Sequence, residues 1–161
     1  MFHAKNYIKV TSLEEAYELN QKKSNAIIGG MLWLKMSNRN MQTAIDLSGL
    51  GLDKIEEQED AFSIGCMCTL RQLEIHEALN RYFGGAMKAC TRHIVGTQFR
   101  NGATVGGSIF GRFGFSDILT CLLALDTYVE LYHAGVIALS EFVEMPRDND
   151  ILVRIIIKKD G

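Results

Sequence analysis

A chain of 161 residues that is 47% apolar and 22% charged has enough hydrophobic surface for one globular domain, and is neither fibrous nor disordered. A formal net charge of -2, with no cluster of Lys and Arg, excludes a surface built for nucleic acid or an anionic membrane. No apolar run reaches the roughly 18 residues of a membrane span, and the opening MFHAKNYIKVTS lacks the basic and apolar regions of a secretion signal, so a cytoplasmic location is expected.

In chain order, a short strand over 7–10 leads to Ser12, which can cap a helix while Glu15 reaches back. Leu13, Ala16, Tyr17 and Asn20 share one face of that helix, which should end near 22–24. Residues 26–28 read as a short apolar strand broken by Gly29-Gly30, followed by an amphipathic helical stretch over 31–37 and a strand over 43–47. Strand, glycine turn, helix and strand at this spacing describe a βαβ unit with a parallel pair.

After Leu50 the texture changes, and residues 54–58 and 62–67 read as hairpin strands around the acidic turn Glu59-Asp60. A lobe boundary near Leu52 divides the chain into 1–52 and 53–161. Thr69 and Gln72 form a capping box for a helix to about Leu79, and 83–94 reads as a third helix across Gly84-Gly85. Residues 95–114 are glycine-rich and irregular. Ser116 then caps an apolar helix through 125, and 127–133, 136–139 and 151–158 are strand-like. The expected class is α+β, an α/β first lobe followed by an α+β second lobe with a mixed or antiparallel sheet.

Cys66, Cys68, Cys90 and Cys121 match neither a zinc site nor an iron–sulfur cluster in spacing, and are expected to be buried free thiols, with no metal bound. His3, His76, His93 and His133 are scattered without partner spacing, and no catalytic residue is named. Trp33, beside Leu32 and Met36, is expected to pack in the core.

Two glycine loops carry the chemistry. Gly29-Gly30 lies between a strand and a helix start, where unpaired N–H groups favour an anion and the missing side chains allow close approach. By itself such a pair is often plain turn chemistry. The second loop, Arg100-Asn101-Gly102-Ala103-Thr104-Val105-Gly106-Gly107-Ser108-Ile109-Phe110, offers N–H and O–H donors over a longer stretch. Ser116-Asp117 follows, readable as helix capping or as a partner for a hydroxylated ligand. A Rossmann site is disfavoured, because Gly29-Gly30 is not G-x-G-x-x-G and Asp46 follows too soon, the spacing being about twenty in that fingerprint.

The run GTQFRNGATVGGSIFGRFGFSDILTCLLALD resembles the signature of the FAD-binding domain in the xanthine dehydrogenase and carbon monoxide dehydrogenase flavoprotein family. Its pattern there is R-N-x-A-T-x-G-G-N-I, then S-D, then L-x-A-L-x-A. AIIGGMLWLKM is similar to that family's first flavin loop, and IGCMCTLRQLE to its I-G-A-x-T-x-L-x-x-L segment. The resemblance implies the two-lobed FAD-binding fold of the vanillyl-alcohol oxidase and para-cresol methylhydroxylase type.

Carried over, the resemblance makes Ile27, Ile28, Gly29, Gly30, Met31, Leu32 and Trp33 one cradle for the FAD pyrophosphate. Ala103, Thr104, Gly106, Gly107 and Ser108 make the other, with Thr104 and Ser108 as side-chain donors. It sets Ile94, Val95, Phe99 and Leu152 about the adenine, and Ser116 and Asp117 near the flavin's polar chain. It implies a flavin component of a multisubunit oxidoreductase. Electrons would come from a molybdopterin subunit through a 2Fe-2S subunit, and pass to NAD or another acceptor; the flavin itself supplies the redox chemistry. This sequence departs at Met31, where the family has Thr or Gly, at Ser108, where it has Asn, and in lacking the family's C-terminal domain. The alternatives are a non-catalytic remnant of the FAD domain serving as an assembly module, and a binder of another nucleotide.

Overall fold

The computed structural model describes residues 1–159 and holds, among them, eight strands and eight α-helices. β1 (His3–Lys9), α1 (Leu13–Asn20), β2 (Asn25–Ile28) and β3 (Asn40–Asp46) come first. Ser12 caps α1 by accepting the Glu15 N–H, while the Glu15 carboxylate accepts from the Thr11 N–H. The three strands form one parallel sheet in the order β1-β3-β2, so the parallel pair around the glycine turn is present. The helix expected over 31–37 is not. Only a 3-10 turn, Leu34–Met36, forms there; Met31 takes φ 57, its carbonyl accepts the Lys35 N–H at 2.9 Å, and the turn ends where Ser37 returns to extended backbone.

β4 (Ile55–Glu57) and β5 (Ala61–Gly65) form the expected hairpin, and continue into a five-stranded sheet with β6 (Thr127–Leu131), β7 (Gly135–Ala138) and β8 (Leu152–Lys158). Its order is β4-β5-β8-β6-β7 and every pairing is antiparallel. Six short helices lie between β5 and β6: α2 (Leu70–Ile75), α3 (Glu77–Tyr82), α4 (Ala86–Thr91), α5 (Thr97–Gly102), α6 (Val105–Phe110) and α7 (Asp117–Leu123). α8 (Leu139–Glu144) joins β7 to the segment before β8.

Several expected boundaries move for local reasons. The helix expected from Thr69 to Leu79 opens with the capping box of Thr69 and Gln72 but is two helices. His76 leaves helical geometry and caps α3 by accepting the Leu79 N–H at Nδ1. The Asn80 amide donates to the carbonyls of Leu73, Glu74 and His76, so the acceptors orphaned at the end of α2 are satisfied without a continuous helix. Gly84 and Gly85 take φ 58 and 83 and reduce the expected third helix to α4. Residues 95–114, expected to be irregular, contain α5 and α6. Nothing in the alternation of LSEFVE announced α8, which has no side-chain cap.

The hydrophobic core runs through both sheets. Val10, Ala16, Ile45 and Leu47 belong to the same buried cluster as Phe62, Ile64, Leu122, Phe142 and Ile155, and a smaller cluster of Ile28, Met41 and Ala44 also packs within the first sheet. Cys66 and Cys68 are buried as expected, whereas Cys90 and Cys121 are only half-buried. Among the described residues no helix is long and apolar enough to cross a membrane, and no group of three or more His, Cys, Asp and Glu could hold a metal.

Candidate functional site

Three sequence segments meet at one backbone junction. A Cβ added to Gly30 would lie 1.6 Å from the Gly102 carbonyl oxygen, and one on Gly29 would lie 2.5 Å from Thr104 Oγ1. A Cβ on Gly106 would come within 2.8 Å of both the Cβ and the carbonyl oxygen of Cys66. The Val105 and Gly106 N–H groups donate to the Cys68 and Cys66 carbonyls at 2.8 Å, and the Leu70 N–H donates to the Ala103 carbonyl at 2.9 Å. The glycines at 30 and 106 are thus demanded by chain-on-chain packing. Gly107 differs. It is exposed, and its added Cβ would meet only Thr104 Oγ1, at 3.1 Å.

Two clefts of about 460 Å³ each flank this junction. Of the residues singled out from the sequence, Gly30, Met31, Leu32, Trp33, Ile94, Val95, Phe99, Ala103, Ser108, Ser116 and Asp117 line the first cleft. Ile28, Gly106 and Leu152 line the second. Ile27, Gly29, Thr104 and Gly107 line both, so the clefts meet at the two glycine loops. Ile94, Val95 and Phe99 therefore do not share a cleft with Leu152, although the resemblance groups all four about one adenine.

Aromatic residues missed in the sequence complete the first cleft. The Phe113 and Phe115 rings stack at 5.3 Å with 17° between their planes, and Phe115 is 74% exposed. Two aromatic residues flanking a glycine, between two ligand motifs, were the available signal. Trp33 is not in the core: it is 61% exposed on the cleft wall, with the Phe99 ring edge-on at 5.6 Å. His93 lines the same cleft, while His76 is used as a helix cap.

The distribution of hydrogen-bond donors differs from the expected one. In the second loop the Val105, Gly106, Gly107 and Ser108 N–H groups all have protein acceptors, Gly107 bonding to Thr104 Oγ1 at 3.2 Å. The Ser108 hydroxyl donates to the Thr104 carbonyl at 3.0 Å, and Ser116 Oγ caps α7 by accepting the Leu119 N–H at 3.2 Å. Thr104 keeps its own hydroxyl proton, since its oxygen is an acceptor in the cap. In the first loop, by contrast, the N–H groups of Gly30, Met31, Leu32 and Trp33 have no acceptor among the described residues. The left-handed Met31 lies inside this run, and alternation of hand is how consecutive N–H groups come to face one side and bind an anion.

Arg100, the first residue of the second loop, faces away from both clefts. Its Nε and Nη2 donate to the Glu74 carboxylate at 2.8 and 3.3 Å, with both residues 5–6% exposed. The guanidinium beside Glu74 holds its carboxyl below the usual glutamate range. Arg100 Nη1 also donates to the Ile94 carbonyl at 3.1 Å. That bond anchors the turn in which Val95 takes φ 50, a conformation costly for a β-branched residue and maintained only where its surroundings impose it.

Comparison with known proteins assigns the chain to a family. Residues 2–159 match the family described as the FAD binding domain in molybdopterin dehydrogenase. The chain is 28% identical over 156 residues to the protein YgfM of Escherichia coli strain K12, covering 94% of this chain and 58% of that one. It is 33% identical over 131 residues to the nicotine 6-hydroxylase medium subunit of Paenarthrobacter nicotinovorans, covering 78% of this chain and 46% of that one. Its fold matches crystal structures of a Cu,Mo-CO dehydrogenase, with TM-score 0.85 and 20% identity, and of quinoline 2-oxidoreductase from Pseudomonas putida 86, with TM-score 0.86 and 19% identity. Each of these covers 100% of this chain and 61% of the other. The chain thus spans between 46% and 61% of the length of these relatives, and it belongs to the family of FAD-binding domains of molybdopterin dehydrogenases.

Proposed function

We propose that this chain binds FAD across the junction of its two glycine loops, with the pyrophosphate at the junction and one ring system in each cleft. The observation that carries the reading is the run of four N–H groups, Gly30 to Trp33, left without protein acceptors where the two clefts meet. A pyrophosphate supplies the acceptors that such a run lacks. Gly107 keeps the opposite wall low enough for close approach, and the Thr104 hydroxyl is a further donor. The site thus fits the group, but the anion-binding work falls mainly on the first loop. In this reading residues 1–52 and 53–161 are the two lobes of one FAD-binding domain; Asp160 and Gly161 lie outside the described residues.

When bound, FAD supplies the electron-transfer chemistry. The chain's own residues orient it: Trp33, Phe99, Phe113 and Phe115 offer ring faces and edges in the first cleft, and Leu152 lies in the second. The proposal extends to the whole assembly, in which a molybdopterin subunit and a 2Fe-2S subunit deliver electrons and NAD or another acceptor removes them. The cytoplasm is the proposed location, supported by four free thiols. The test is a visible spectrum of the purified chain with and without added FAD. Flavin bands that stay with the protein through gel filtration support the reading. A colourless protein that ignores FAD would refute it and leave an assembly module.

A further inference from the structure

Cys90 lies at the end of α4 and Cys121 in the middle of α7, two helices that pack against each other. Their thiols converge on the first turn of α4. Cys90 Sγ is 3.3 Å from the Met87 carbonyl oxygen, and Cys121 Sγ is 4.0 Å from that of the adjacent Ala86. Both residues are half-buried, whereas Cys66 and Cys68 are fully buried. We propose that Cys90 and Cys121 are an oxidisable pair, a site at which hydrogen peroxide closes a disulfide that ties α4 to α7.

The chain enclosed by this pair gives the bond its consequence. Residues 90–121 contain α5, α6, the second glycine loop and the Phe113–Phe115 stack. Ile94 comes four residues after Cys90 and Asp117 four before Cys121, and both line the first cleft. A disulfide would therefore fasten both ends of the segment that carries one cradle of the site.

The chemistry balances with peroxide as sole oxidant. The Cys121 thiolate attacks one peroxide oxygen, the O–O bond breaks, and the hydroxide released takes up the proton Cys121 had lost, giving water and a sulfenic acid. The Cys90 sulfur then attacks the Cys121 sulfur. The S–S bond forms, the S–O bond breaks, and the Cys90 proton leaves with the hydroxyl as a second water. Each sulfur is oxidised by one electron and the two peroxide oxygens are reduced. Cys121 is the attacking member because its contact with the Cys90 thiol holds it below the ordinary cysteine range. The same contact, with burial and the charge of Asp117, pushes Cys90 up. Cys66 and Cys68 provide an internal contrast, since burial pushes them up to about 12 and about 11 and favours the inert thiol.

The test uses the purified chain and hydrogen peroxide, with digestion under non-reducing conditions and mass spectrometry. A peptide cross-linked between Cys90 and Cys121 is expected, with Cys66 and Cys68 still alkylatable after unfolding. The oxidised protein should melt higher by roughly 10 °C, the shift expected from closing a loop of this length, and should return to its original midpoint on reduction. Cys90→Ser, which keeps a donor beside Cys121, should leave a sulfenic acid trapped by dimedone. Cys121→Ser should leave Cys90 reduced at the same peroxide concentration. Preferential loss of Cys66 or Cys68, cross-linking only between chains, or absence of the 90–121 peptide would each overturn the proposal. None of these readouts depends on flavin binding.

Discussion

Replacing Gly107 by Val separates ligand binding from folding. Gly107 lies in α6 without a positive φ, and the only atom near its added Cβ is Thr104 Oγ1 at 3.1 Å. That contact asks for a shift of a few tenths of an ångström. A β-branched residue recovers part of the roughly 1 kcal/mol that glycine costs a helix, so stability should change by less than about 1 kcal/mol, or roughly 2–4 °C in melting midpoint. The branched side chain would stand at the junction shared by both clefts. Displacing the pyrophosphate from even one or two N–H donors costs about 1.5–3 kcal/mol for each charged hydrogen bond, and two such losses weaken binding by roughly 100-fold or more. The assay pairs a thermal melt with FAD titration by flavin fluorescence. Gly30→Ala is the contrasting case, because its Cβ would collide with the Gly102 carbonyl at 1.6 Å and should lower stability and binding together. Wild-type FAD affinity in Gly107→Val, or a melting midpoint that falls as far as that of Gly30→Ala, would refute the division of labour between these glycines.

Glu74→Gln should lower stability by about 3–5 kcal/mol, since it leaves the Arg100 guanidinium buried without its charge partner; thermal melts measure this directly. The folded Glu74 carboxyl lies below its ordinary value of 4.5, so its contribution is complete above that unfolded value and declines as pH falls through the lowered folded one. Melts across the acid range should therefore show a smaller loss on acidification in Glu74→Gln than in the wild type. Met31→Gly should relieve about 1–2 kcal/mol of left-handed strain, offset by about 0.5–1 kcal/mol of added freedom in the unfolded chain. A rise of a few degrees in melting midpoint with FAD binding no weaker is the expected result, and a fall in either quantity would contradict the strain argument.

Where neighbouring residues decide a conformation, the sequence was a good guide. Thr69 with Gln72, Ser12 with Glu15, and the alternation in β8 announced caps and a strand that the structure contains. Helix continuity was harder to read. The split between α2 and α3 depends on Asn80 turning its amide back onto three carbonyls, a contact that no spacing rule identifies. Trp33, expected in the core, instead lies on the cleft wall two residues after the left-handed Met31, and bulky residues give no warning of such a turn. Phe113 and Phe115 were missed because they lie between the family motifs rather than within them.

The glycines show why the motifs were more legible than the roles of their residues. A glycine needed for backbone packing and one needed for ligand approach look the same in a sequence, since both report only that a side chain is unwelcome. The structure distinguishes them by what a Cβ would meet: a carbonyl for Gly30, Cys66 for Gly106, and near-open space for Gly107. The same distinction moves the anion-binding donors. The second loop carries the longer motif, yet most of its N–H groups are already bonded to the C-x-C turn and to Thr104. The shorter first loop keeps its N–H groups free because a helical turn begins there: the Met31 carbonyl accepts from Lys35 and the Trp33 carbonyl from Met36, and the N–H groups that open a turn have no acceptor behind them. Motif length measures how many contacts a segment must satisfy, and at this junction most of those contacts are with the chain itself.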